Sequence, residues 1–268
     1  MPDTTISLPR TVGEKGQHRQ DTDTVVQEAP AALVYNGISH AVMMATPADL
    51  ADLALGFSLS ERILDNPGQL LGLDIEQRDQ GYELAMEITT EPFQRLKHRR
   101  RSLTGRTGCG LCGVESLEQA ITAPQRVESN LQLPAAAIQK ALDVLATVQA
   151  LRALTGGVHG AAWCNAQGEI QLLREDVGRH NALDKLLGAM AAQGADNAGF
   201  VLLTSRLSYE MVAKAAACHI PVVAAVSAPT ALAVEQATQA GITLVGFVQR
   251  DRQVVYCGDQ RIVLGEVG

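Results

Sequence analysis

Between residues 199 and 249 the chain alternates short apolar runs with helical stretches: FVLLTS, YEMVAKAAACH, PVVAAVS, TALAVEQATQA and ITLVGFV. A run of that length, apolar at consecutive positions rather than at every second one, belongs to a strand buried on both faces. The stretches between them have the length and periodicity of helices that cross over such a sheet and cover it. Upstream, GAAWCN and EIQLLRE read as a hairpin around Gln167-Gly168, a helix runs from about 135 to 154 and stops at Gly156-Gly157, and another spans about 180 to 192. Residues 134–268 are therefore expected to form an α/β domain with a mainly parallel or mixed sheet covered by helices.

The N-terminal part has a different pattern. Asn36-Gly37 between AALVY and ISHAVMMA is the chemistry of a two-residue hairpin turn. Thr46-Pro47 reads as a helix start, with Leu50, Leu53, Ala54, Phe57 and Leu64 at roughly helical spacing up to a stop at Asn66-Pro67. Two more strands, about 71–78 and 82–89, flank a turn at Gln80-Gly81. Residues 31–133 thus form a small α+β domain, and residues 1–30, polar and aperiodic, are expected to be a flexible tail.

Composition narrows the classes. With 268 residues, 46% of them hydrophobic, the chain can bury a sizeable core. Five cysteines are an odd number and no apolar leader precedes them, which argues for reduced thiols and a cytoplasmic location. No stretch is apolar for the eighteen or more residues of a membrane span, and the formal charge of −7 argues against nucleic acid as a partner.

Against that acidic background, LKHRRRSLTGRTGCGLCG collects Lys97, Arg99, Arg100, Arg101 and Arg106 beside Cys109 and Cys112. Cations favour the thiolate, which is the nucleophile, and the glycines around both cysteines leave the backbone free to swing. A loop of this kind, about 99–116, is suited to receiving a group on sulfur and passing it on.

Open α/β sheets bind ligands beyond the carboxyl ends of their strands. Ser205, Arg206 and Ser208 follow FVLLT, Ser227 and Thr230 follow PVVAAV, and Phe247 and Arg250 follow ITLVG. Hydroxyls at helix starts and a guanidinium suit phosphate, and an aromatic ring suits a flat heterocycle. The alternative is that Ser205 and Ser227 only cap helices. A second polar cluster, REDVGRHNALDK, places His180 and Asn181 at a helix start, where they could read base or ribose edges.

Taken together, TGCGLCG, TGGVHGA, EDVGRHNALDKLLG, TSRLSYEMVAKAA, IPVVAAVSAPTALAVEQA and GITLVGFVQ, in this order, resemble the FdhD family, the formate dehydrogenase accessory sulfurtransferases. The resemblance spans residues 31 to 258. It implies a cytidine-deaminase-like larger domain and a cytoplasmic homodimer. It also implies a carrier that takes persulfide sulfur from a cysteine desulfurase and delivers it to the molybdenum cofactor of formate dehydrogenase. Cys109 would bear the persulfide and Cys112 would assist. The cofactor, in its bis-molybdopterin guanine dinucleotide form, would be the bound substrate, with GDP as its mimic and no metal belonging to the protein itself. The segment Gly246, Phe247, Val248, Gln249, Arg250 and Asp251 would belong to its site; relatives are expected to carry their basic residue nearer to Phe247 than Arg250 stands in this sequence, a departure that makes Phe247 the firmer assignment of the two. The alternative is a zinc-binding or nucleotide-binding module without sulfur transfer. A structural zinc needs four ligands and the chain has one CxxC. A deaminase needs an H-x-E signature, whereas His159 is followed by Gly160-Ala161.

Overall fold

The computed structural model describes residues 4–103 and 123–264, with backbone alone for 99–103. A six-stranded mixed sheet forms its larger part. It is built from β8 (His159–Asn165), β9 (Ile170–Asp176), β10 (Gly199–Leu203), β11 (Val222–Ala225), β12 (Thr243–Gln249) and β13 (Arg252–Cys257), in the order β13-β12-β11-β10-β8-β9. The central β10-β11-β12 pairings are parallel; β13, β8 and β9 pair antiparallel on the flanks. The sheet is thus of the mixed kind, because β8-β9 and β12-β13 are joined by tight turns, which permit only antiparallel pairing.

Both faces are covered, which is why its strands are apolar at successive residues. Ala161, Trp163, Val201, Leu203, Val223, Ala225 and Leu244 face α5 (Arg179–Gln193), α6 (Tyr209–Ala217) and α7 (Ala231–Ala240). The alternate set, Ala162, Cys164, Phe200, Leu202, Val222, Ala224, Val245 and Val248, packs with α3 (Ala135–Val148). The helix expected over 135–154 is two: α3 ends at Val148 and α4 (Ala150–Thr155) begins after the non-helical Gln149. Glu175 causes the break to hold, accepting from Leu151 N at 2.8 Å and Arg152 N at 3.0 Å at the new helix start.

A second sheet, ordered β4-β3-β6-β5, consists of β3 (Ala29–Tyr35), β4 (Ile38–Ala45), β5 (Leu70–Arg78) and β6 (Gly81–Ile88). The Asn36-Gly37 turn is present, both residues having positive φ, 45° and 79°. Leu33, Tyr35, Leu84, Met86 and Ile88 meet α1 (Leu50–Ser60) and the Leu96 side of α2 (Thr90–Leu103). The α1 limits differ from expectation. Thr46 lies outside the helix, whose N-cap is Asp49, and the C-terminal turn closes at Arg62 in the left-handed region (φ 56°) rather than at Asn66-Pro67.

Residues 1–30, read as a flexible tail, carry an antiparallel ribbon of β1 (Thr5–Glu14) and β2 (Gln17–Val26). It buries few side chains, and cross-strand polar pairs support it, including Arg10 to Asp23 at 2.6 Å. A short pair of β7 (Leu133–Pro134) and β14 (Ile262–Val263) completes the described fold.

The two larger sheets are joined through α1 and α5, which approach to backbone contact at Gly56 and Gly188. A Cβ on Gly56 would lie 1.7 Å from Asp184 O, and one on Gly188 2.0 Å from Asp52 O. With the six-stranded sheet on one side and α1 on the other, α5 is buried continuously from Asn181 to Met190. Its polar residues must therefore find partners inside the protein.

Candidate functional site

The carboxyl ends of β10, β11 and β12 form one rim, joined by loop hydrogen bonds. Leu207 bridges Pro229 and donates to Ala228 O at 3.1 Å; Thr230 N donates to Leu207 O at 2.9 Å; Phe247 N donates to Ser227 O at 3.1 Å. The rim thus brings Ser205, Arg206, Ser208, Ser227 and Phe247 to one edge. The β8-β9 end joins it, since Gly160 N donates to Thr204 Oγ1 at 2.8 Å and His159 pairs with Asp176.

Phe247 is the most unusual residue on that rim. It has φ of 48°, a left-handed conformation that costs an aromatic residue energy, inside a register shift between Gly246 and Gln249. A bulge at such a place re-aims a side chain. Gly246 is required by close packing, since a Cβ there would come within 2.9 Å of Pro229 Cδ and 3.0 Å of Tyr256 Cε2. The Arg252 guanidinium sits over the Phe247 ring, 5.6 Å from its centroid. Arg252, absent from the sequence reading, is the basic residue next to Phe247. Arg250 and Asp251 instead form the exposed β12-β13 turn, with side chains 91% and 94% accessible. Val248 points into the core at 1% exposure, so its side chain is on the wrong face for a ligand, and Gln249 is exposed.

Ser205 and Ser227, whose alternative reading was helix capping, do not occupy the N-cap positions of α6 and α7. Ser205 is buried and donates to Arg206 O at 3.1 Å. At α6 the N-cap is Ser208, whose side chain makes no capping bond, and at α7 it is Thr230, which accepts from Ala233 N at 3.2 Å. Arg206 is exposed and makes no ion pair among the described residues.

The REDVGRHNALDK cluster divides in two. Asp176, Asn181, Asp184 and Lys185 are buried and fasten α5 to the smaller sheet and α1. Lys185 Nζ reaches Asp176 Oδ2 at 2.6 Å and Thr46 O at 2.9 Å; Asn181 Nδ2 donates to Met44 O at 2.7 Å and Asp176 Oδ1 at 3.0 Å. That use of both amide hydrogens assigns Asn181 to the fold rather than to a base edge. Asp184 accepts from Ser60 Oγ at 2.6 Å and Lys214 Nζ at 3.0 Å, and Lys214 also meets Glu61 Oε1 at 2.7 Å. Burial pushes the Asp184 carboxyl up, and Lys214 and Ser60 counter it. Arg179 and His180, by contrast, are half-buried at the rim. Burial first, and Arg179 second, hold the His180 imidazole below its ordinary range, and the same two causes act on His159.

Cys109 and Cys112 lie outside the described residues, as does most of the 99–116 loop; α2 continues as helix to Leu103. Of the basic run, Lys97 is placed over the Phe93 ring at 4.6 Å. The remaining cysteines suit packing. Burial pushes the Cys164 and Cys218 thiols up to about 12, and Cys257 Sγ donates to Ile242 O at 3.4 Å. Cys218 lines a cavity of about 440 Å³ with His219, Arg62 and Gln125, between α1 and the C-terminal ends of α5 and α6, away from the rim. Among the described residues no three His, Cys, Asp or Glu side chains are grouped to hold a metal, and no helix is long and apolar enough to cross a membrane.

The fold and rim define a mixed α/β protein with a strained aromatic residue, Phe247, at the carboxyl edge of its central strands. Residues 26–263 match the FdhD/NarQ family model, and the chain belongs to that family. It is 55% identical over 249 residues to the sulfur carrier protein FdhD of Cupriavidus necator, covering 92% of this chain and 86% of that one. It is 51% identical over 262 residues to the protein of the same name from Xanthomonas euvesicatoria, covering 97% and 93%. A solved chain from Desulfotalea psychrophila, described provisionally as a formate dehydrogenase accessory protein, superposes with TM-score 0.76 at 26% identity, over 97% of this chain and all of that one.

Proposed function

We propose that this protein is a cytoplasmic sulfur carrier in the maturation of formate dehydrogenase, acting as a sulfurtransferase between a cysteine desulfurase and a molybdenum cofactor. The observation that carries the reading is the family match, which spans the Cys109–Cys112 stretch and reaches relatives named sulfur carriers.

In the first step the Cys109 thiolate attacks the terminal sulfur of the donor's persulfide. A new S–S bond forms on Cys109 and the donor's thiolate leaves, with no net oxidation. In the second, the Cys112 thiolate attacks Cys109 Sγ, the terminal sulfur leaves as sulfide towards the metal, and the two cysteines become a disulfide. That disulfide returns to thiols by exchange with a dithiol reductant, which closes the cycle. The cations of the 97–106 run favour the attacking thiolate.

The cofactor, in its bis-molybdopterin guanine dinucleotide form, is the bound substrate. A guanine stacks at Phe247, whose strained backbone and Arg252 partner support this placement, and its phosphates lie towards Ser205, Arg206 and Ser227. The protein acts as a homodimer; Val42 and Met44, 60% and 49% exposed on the smaller sheet, are apolar surface of the kind a second copy covers. Calorimetry of GDP against AMP tests the rim. GDP should bind more tightly, and Phe247→Ala should weaken it by about 1–3 kcal/mol, the scale of base–aromatic stacking. Equal binding of both nucleotides, unchanged in Phe247→Ala, would remove the guanine from this rim.

A further inference from the structure

Away from the rim, the C-terminal ends of α1, α5 and α6 meet around the cavity of about 440 Å³ that Cys218 lines. All three helices close in the same way. Arg62 N donates to Leu59 O at 3.0 Å and Ile63 N to Ser58 O at 2.9 Å; Gly194 N donates to Ala191 O at 3.2 Å and Ala195 N to Met190 O at 2.9 Å; His219 N donates to Ala216 O at 3.0 Å and Ile220 N to Ala215 O at 2.9 Å. This paired closure puts its first residue in the left-handed region, where glycine is the default because a Cβ is unfavourable there. Gly194 follows the default, as do Gly156 after α4 and Gly241 after α7. Arg62 and His219 do not, at φ 56° and 57°, and both line this cavity.

Two strained side chains on one cavity call for a cause. The helix-end carbonyls do not supply it, because the paired closures already give them backbone donors. The charge of the lining does. Its one carboxylate, Asp65, is held by Arg95 Nη2 at 2.7 Å. Arg62 is exposed and makes no ion pair among the described residues. Gln125 Nε2 donates to His219 Nε2 at 3.3 Å and tethers the imidazole. Beneath these polar groups lies an apolar floor of Leu59, Leu64, Leu187, Met190 and Ile220. An uncompensated guanidinium and a tethered imidazole above such a floor match an anion with an apolar body, and the volume is that of a small-molecule site.

We propose that this cavity is a second ligand site, separate from the rim, which takes a small organic anion, a carboxylate carried on a ring or a branched chain. Arg62 binds the charge, His219 donates beside it, and the floor covers the apolar body.

The probe is anilinonaphthalene sulfonate, whose sulfonate stands in for the carboxylate, compared with phenylnaphthylamine, the same rings without the charge. Fluorescence titration of the full chain should show saturable binding of the sulfonate. Arg62→Gly should weaken it about tenfold, the scale of one charge-assisted hydrogen bond, and leave the uncharged probe unchanged. His219→Gly should act in the same direction. Neither variant should lower the melting temperature, because glycine relieves the left-handed strain. Cations that served only to complement the helix ends would behave in the opposite way: their loss would lower the melting temperature and leave binding intact. Arg62→Gln, which keeps a long side chain and removes the charge, gives the same binding comparison without a new glycine. Phe247→Ala should alter neither titration, which keeps this cavity apart from the rim. Absence of saturable sulfonate binding, equal weakening of both probes in Arg62→Gly, or a sulfonate signal that is lost in Phe247→Ala and kept in Arg62→Gly would overturn the proposal.

Discussion

Lys185→Met places a side chain of similar length at a fully enclosed position and removes its charge. Lys185 and Asp176 are both inaccessible to solvent and 2.6 Å apart. After the substitution Asp176 keeps three neutral donors: Thr46 N at 3.0 Å, Gly178 N at 2.8 Å and Asn181 Nδ2 at 3.0 Å. Those bonds satisfy its lone pairs but leave its charge without a counterion, and the Thr46 carbonyl loses its 2.9 Å donor. Breaking a buried pair from one side costs about 3–5 kcal/mol. For a chain of this size that lowers the melting temperature by roughly 6–20 °C, at about 2–4 °C per kcal/mol. Urea denaturation should show a lower midpoint at constant slope. The control is Lys140→Met, which removes an exposed 3.4 Å pair with Glu169 and should change stability by less than about 1 kcal/mol. If Lys185→Met and Lys140→Met unfold at the same urea concentration, the buried pair does not fasten α5 to the smaller sheet.

Gly56→Ala should destabilise by more than about 4 kcal/mol or yield insoluble protein, because its Cβ would meet the Asp184 carbonyl at 1.7 Å and neither helix backbone can yield locally; a thermal melt within a degree or two of wild type would refute the close crossing. Stability should fall as pH drops below 6.5, since burial and Arg179 hold His180 and His159 below that ordinary value. The unfolded chain then binds protons first, so stability is greater above that pH than below, and His180→Gln should flatten part of the slope in urea midpoints measured from pH 7.5 to 5. Cys164→Ala, Cys218→Ala and Cys257→Ser should each support formate dehydrogenase activity in cells, with at most a packing loss; loss of activity in a folded variant would show a chemical role for that thiol.

The six-stranded sheet was legible because strands covered on both faces must be apolar at consecutive residues, as in Phe200–Leu203 and Val222–Ala225. The Asn36-Gly37 turn was legible because few other residue pairs tolerate two positive φ angles. The β1-β2 ribbon was not, since its side chains are mostly exposed and its stability comes from polar pairs that share the composition of a disordered segment. Asn181 was read as a residue facing a base or ribose edge, and the burial of Lys185 was not foreseen, because such residues are seldom enclosed. Their burial follows from α1 lying across α5, a tertiary contact announced only by Gly56 and Gly188. Arg252 escaped notice for a related reason. The register shift after Gly246 turns Phe247 towards the next strand, so the residue five positions on, rather than three, meets its ring.

The central claim is that sulfur travels on the Cys109–Cys112 loop. It is tested most directly by incubating the purified protein with a cysteine desulfurase and cysteine, digesting it without reductant, and weighing the peptide that contains both cysteines. The expected result is a gain of one sulfur on that peptide, absent in Cys109→Ala and absent without the desulfurase. A wild-type peptide that gains no sulfur, or a Cys109→Ala protein that gains it on Cys164, Cys218 or Cys257 instead, would contradict it.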